Sequence, residues 1–149
     1  MFDEISKTVY DKFELIGFAC LAIISLFILS HFSGWWEISG RYPSRPFKIK
    51  EKWYMRSMWM GSLFTYENCV TVKATDQGLC LSLIIIFRIG HPPFLIPWEE
   101  IHITKYKGWF TTFAKLTLRQ VPHIPLYIRK DLALEINDHI QEDWETPLQ

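Results

Sequence analysis

The chain is poor in cysteine and carries no surplus of either charge. Its three cysteines, Cys20, Cys69 and Cys80, form no C-x-x-C pair and no even framework. This excludes a disulfide-stapled miniature fold and a cysteine-based zinc site. Cys69 and Cys80 could pair with each other, but they read first as two buried thiols on strands, a usage compatible with a reducing compartment. Sixteen Lys and Arg balance sixteen Asp and Glu. No global field is therefore present to steer nucleic acid, and a nucleic-acid partner is excluded.

Catalytic signatures are missing as well. The chain contains no G-x-S-x-G elbow, no Gly-rich phosphate cradle and no H-E-x-x-H or H-x-x-x-H spacing. His31, His91, His102, His123 and His139 are scattered. His91 and His102 would meet Glu99 or Glu100 only through the fold, and all four suit strand edges and loops. Glu99 and Glu100 are neighbours, so on a strand they face opposite sides. The reading is no enzyme, no cofactor and no metal. A site assembled from these His and Glu residues is the weakest of three functional alternatives.

What the chain does have is apolar and aromatic bulk. Its 149 residues suffice for one domain plus an appendage. Aromatics make up 16%, with seven Trp, which fits strands or a membrane interface. From Leu15 to Trp36 no Asp, Glu, Lys or Arg occurs. About 20 apolar residues in a helix cover a hydrocarbon core of about 30 Å. Residues 15–36 are therefore expected to form a transmembrane helix, preceded by a short segment, 1–14. Cys20 behaves there as a small lipid-compatible residue. Trp35 and Trp36 close the run and suit the headgroup level. The acidic start (Asp3, Glu4, Asp11, Glu14) and the absence of an A-x-A-like site argue against a cleaved signal peptide. The lack of a polar stripe argues against a soluble core helix.

Arg41, Arg45, Lys48, Lys50, Lys52 and Arg56 follow the run. Basic residues beside a span stay on the cytoplasmic side. The expected placement is single-pass in the inner (cytoplasmic) membrane, N-terminus outside and the rest in the cytoplasm. The same six residues either set this topology alone or touch anionic lipid, each contributing about 1 kcal/mol near such a surface. Residues 37–52 read as a basic linker, extended around its prolines.

Beyond it the period is two. Residues 69–74 alternate up to the Asp76-Gln77-Gly78 turn, and Leu79, Leu81, Leu83, Ile85 and Phe87 share one face of a returning strand. Phe94–Ile96, Ile101–Thr104, Ala114–Arg119 and Leu126–Ile128 add further strands, and one or two more fit between Trp53 and Phe64. Leu132, Ile136 and Ile140, with Asp131 as N-cap, mark an amphipathic helix. The fold class is a transmembrane helix plus a mostly-β domain over 53–141. That domain is an antiparallel curled sheet or barrel of six or seven strands, capped by a C-terminal helix. An acidic tail, 142–149, follows.

The segment Ile96-Pro97-Trp98-Glu99-Glu100-Ile101, followed by strands and a terminal amphipathic helix, resembles bacterial pleckstrin-homology-like (PH/GRAM-like) domains. That resemblance spans about Trp53 to Ile140, with the Arg88–Pro93 connection departing from it. It implies a scaffold that binds lipid headgroups or other proteins. Trp53, Tyr54 and Trp59, in a stretch rich in Met and aromatics, are the candidate partner surface. The leading expectation is an accessory or scaffolding subunit of a membrane-protein assembly. The second is an anionic-lipid headgroup sensor or transfer component.

Overall fold

A computed structural model describes residues 1–140. The acidic tail, 142–149, and residue 141, the last of the expected domain, lie outside the described residues. Helix α1 runs from Phe2 to Ser33 and absorbs the anticipated N-terminal segment into one rod. Only Ser30 and Ser33 of α1 are buried, so its apolar side chains cover no core. The helix is long and apolar enough to cross a membrane.

Gly34 ends α1 at φ 88°, the left-handed conformation that glycine adopts without a Cβ penalty. A second helix, α2 (Trp35–Arg41), begins at once. Trp35 and Ile38 of α2 are fully buried. The expected transmembrane run to Trp36 is therefore cut at Gly34, and Trp35 belongs to the domain instead of the headgroup layer. The linker is shorter and less free than its prolines suggest. Leu95 N–H donates to the Tyr42 carbonyl at 3.0 Å, and Gln77 Nε2 donates to the Pro46 carbonyl at 3.0 Å.

Seven strands follow: β1 (Ile49–Met60), β2 (Phe64–Thr75), β3 (Gly78–Leu83), β4 (Phe94–Pro97), β5 (Ile101–Lys107), β6 (Thr112–Leu118) and β7 (Leu126–Arg129). They form one antiparallel sheet in the order β4-β3-β2-β1-β7-β6-β5. Thus two meanders, β1–β4 and β5–β7, join where β7 pairs with β1. The pairing of β1 with β2 slips between Trp53 and Arg56 and again between Arg56 and Met58. Met55 and Asn68 sit at positive φ beside these slips. Such bulges bend a strand and sharpen its twist, which is how β1 serves both halves and the sheet curls.

The concave face holds the core, with Met58, Met60, Leu79, Leu81, Ile96, Leu116 and Leu126 fully buried. Helix α3 (Lys130–His139) closes it with Leu132, Ala133 and Ile136. Arg129 holds the N-cap position and Asp131 lies in the first turn, so the cap falls two residues before the expected one. Cys69 and Cys80 are buried and unbridged. β3 stops at Leu83, and Ile85–Phe87 form a single 3-10 turn in place of the rest of the anticipated strand.

Candidate functional site

The junction of α1 with the sheet is built from residues far apart in sequence. Trp35 packs against Tyr66, His91 and Phe94, with ring centroids 5.3, 5.5 and 4.9 Å away. Its indole N–H donates to the Pro92 carbonyl at 2.8 Å. Tyr66 Oη lies 2.7 Å from Ser33 Oγ and 3.2 Å from His91 Nε2. His91 Nδ1 stands 3.2 Å from the Ile89 carbonyl, which can only accept. The proton therefore sits on Nδ1, and Nε2 accepts from the Tyr66 hydroxyl. Burial lowers the His91 pKa, so the imidazole is held neutral; burial pushes Tyr66 up to about 12. This chain of contacts locks the end of α1 to the sheet. His91, read as a loop or edge residue, is fully buried here.

Two loops flank the end of α1. The β1–β2 turn carries Leu63, and shares a recess with His31 and Phe32. The β3–β4 loop passes α1 so closely that a Cβ on Gly90 would lie 3.2 Å from Phe27. Both loops expose large apolar side chains: Leu63, Ile85, Ile86, Phe87 and Ile89.

A second apolar surface lies on the convex side of the other meander. Trp59 and Phe113 meet edge to face at 4.8 Å, and Tyr106 and Tyr127 at 5.1 Å. These four line a shallow groove of about 340 Å³ with Gly61 and Ser62. The β5–β6 turn, between Tyr106 and Phe113 in the chain, carries Trp109 and Phe110, which are 94% and 95% exposed. At about 3.3 Å per residue, β6 carries this tip roughly 20 Å from the 119–124 turn. Ile124 of that turn abuts Gly34 at the base of α1.

The anticipated site residues divide between these places. Trp36 is exposed at the start of α2, whereas Trp35 is core. Trp53 is buried, with the His139 ring tilted against it at a centroid distance of 5.8 Å, so it offers no surface. Tyr54 is exposed but lies under Lys52, 4.5 Å from its ring. Of the three candidate partner-surface residues, Trp59 alone lines the apolar groove. The Trp109-Phe110 turn carries no motif; two adjacent aromatics after Lys107-Gly108 are its one signal in the sequence.

The six basic residues do not form one patch. Lys48 donates its N–H to Asp76 at the β2–β3 turn. Lys50 and Lys52 stand on the same part of β1, where Ile49 pairs with Thr75. Thr75 is about 20 Å along β2 from Cys69, whose carbonyl holds Ile84 of the loop beside α1. These lysines therefore crowd the end of the domain away from α1. Arg56 pairs with Glu135 at 3.3 Å. Arg41 and Arg45 do meet, in a cleft of about 210 Å³ with Gln77, Glu100 and Gln120. There the Tyr42 hydroxyl donates to Glu100 at 2.7 Å and Gln120 Nε2 donates at 3.0 Å. These bonds lower the Glu100 pKa, and burial first, then Glu100, raises Tyr42 to about 12.

His91 and Glu100 thus serve separate networks, and His102 is exposed. Among the described residues no three His, Cys, Asp or Glu side chains gather where they would hold a metal ion. No protein-family model, curated protein or solved structure matches the chain.

Proposed function

We propose that this protein is a membrane-anchored adaptor. α1 crosses the bilayer, and the curled sheet holds its aromatic convex face out to a membrane-protein partner. The observation that carries this reading is the placement of the Trp109–Phe110 turn. It is the most exposed aromatic feature of the domain, and it stands at the end of β5 and β6 remote from Gly34. Lipid covers the base of the anchor, so apolar bulk on the far side calls for a different cover. Exposed aromatic patches of this kind mark protein interfaces. Lys115, beside Tyr127 in the sheet register, favours a partner with acidic residues at the rim of its contact.

The strand order and the terminal helix support reading the domain as pleckstrin-homology-like, acting as a scaffold and not as an enzyme. The basic residues after the span support a cytoplasmic domain on the inner membrane and an outside N-terminus. The locking of Ser33 and Trp35 into the domain supports a retained anchor over a removed leader.

The test is purification of the full chain from its native membrane in mild detergent, alongside a Trp109→Ser/Phe110→Ser double variant. A stoichiometric partner held by the wild type and lost from the folded variant supports the adaptor. Equal retention by both would place the partner surface elsewhere.

A second reading, anionic headgroup binding, is supported by the meeting of Arg41 and Arg45 at one cleft. In that case an Arg41→Gln/Arg45→Gln variant in neutral nanodiscs loses saturable binding of a soluble inositol phosphate. Unchanged binding, or none by the wild type, leaves these residues to topology.

A further inference from the structure

The β3–β4 loop is the least water-compatible loop in the domain, and its position gives a reason. Ile85 is 78% exposed and Ile86 70%, with Phe87 and Ile89 also exposed beside them. A cluster of four large apolar side chains in water is a liability unless something covers it. Gly90, in the same loop, sits against Phe27 of α1 with a positive φ of 73°. Phe27 lies six residues inside the helix end at Ser33, about 9 Å at 1.5 Å per residue. It also lies well within the uncharged stretch that begins at Leu15. Whatever medium surrounds α1 at Phe27 therefore also reaches this loop.

The loop backbone suits such a medium. Ile84 N–H donates to the Cys69 carbonyl at 2.9 Å, Phe87 N–H to Ile84 at 3.0 Å, and His91 N–H to Arg88 at 3.0 Å. Internal pairing of this kind lowers the penalty for carrying peptide groups out of water. Arg88, exposed between Phe87 and Ile89, has a stem long enough to keep its guanidinium at the phosphates while its neighbours go deeper.

We infer that the Ile85–Ile89 turn is a second membrane contact, inserted beside α1 into the same leaflet and fixing the tilt and rotation of the domain on the bilayer. The inference rests on α1 spanning that bilayer. A single helix leaves a domain free to swivel; a wedge held against it by the Gly90–Phe27 contact and the His91–Tyr66–Ser33 chain does not.

The experiment is nitroxide labelling of the full chain in phosphatidylcholine–phosphatidylglycerol vesicles, reading collision with oxygen against a water-soluble nickel chelate. Three samples are compared. One carries the label on native Cys20, which is exposed on α1. The other two carry it on Ile86→Cys and on Lys50→Cys, each with Cys20→Ala. The oxygen-to-nickel ratio at position 86 is expected to exceed that at position 50 several-fold and to approach that at Cys20. A lipid-like ratio at Cys20 with a water-like ratio at 86 would overturn the wedge and leave the anchor standing. Low access to both reagents at 86 would also overturn it, by assigning the loop to a contact between copies of the chain. A water-like ratio at Cys20 itself would overturn both.

Discussion

Tyr66 is the hinge pin of the junction. Its hydroxyl is shared between Ser33 on α1 and His91 in the β3–β4 loop. Tyr66→Phe keeps the ring packing but strands the buried His91 Nε2 and takes one of its partners from Ser33, a loss of about 1 kcal/mol or more. The variant in detergent is expected to melt several degrees below the wild type while keeping its strand signal; an unchanged midpoint would deny the network any weight. Trp35 tests packing. Trp35→Ala removes a fully buried indole and is expected to destabilise by about 3–5 kcal/mol, whereas Trp36→Ala, on the exposed side of α2, is expected to be nearly neutral by the same melt. His91 adds a pH dependence. Burial disfavours its charged form, so the folded chain holds this proton less readily than the unfolded chain, whose histidine titrates near 6.5. The stabilisation is complete above that value and is lost as pH falls through the lowered folded pKa. Melting midpoints measured downward from neutrality should therefore fall more steeply for the wild type than for His91→Asn; parallel curves would contradict the assignment.

At the scale of elements, α2 belongs to the sheet domain. Trp35 and Ile38 fill its core, so a soluble fragment must keep them. A fragment beginning at Gly34 is expected to fold, and one beginning at Ser44 to lack a sharp thermal transition. Equal cooperativity in both would show α2 to be dispensable. The strands themselves were legible because their pattern is local. Ala114, Leu116 and Leu118 alternate with polar residues, and Leu79–Leu83 returns from a Gly-containing turn, as the register confirms. The apolar length of α1 and the four-residue spacing of Leu132 and Ile136 were equally plain. The missed features depend on contacts between distant residues. Two Trp at the end of an apolar run look like a headgroup belt; only the Gly34 turn sends Trp35 inward to Tyr66 and Phe94. Six basic residues close to a span look like one lipid-facing cluster. A strand of 12 residues instead holds Lys50 and Lys52 toward the far end, with Lys48 just before it, and pairs Arg56 with Glu135. The exposed Trp109–Phe110 turn carries no period at all, so no pattern in the sequence marks it.

Over the whole molecule, one rod and one curled sheet share a junction and point their apolar surfaces in different directions. α1 and the loops beside it offer Phe, Ile and Leu at one end, while the β5–β6 turn offers Trp and Phe at the other. This division suits a part that is held in lipid and grips a neighbour. It depends on α1 lying in a bilayer as an integral element. Washing membranes that contain the full chain with alkaline carbonate tests that dependence directly. The account predicts that the chain stays with the sedimented membrane and leaves only when detergent is added. Release into the wash as a monodisperse soluble protein, with α1 still helical, would contradict it.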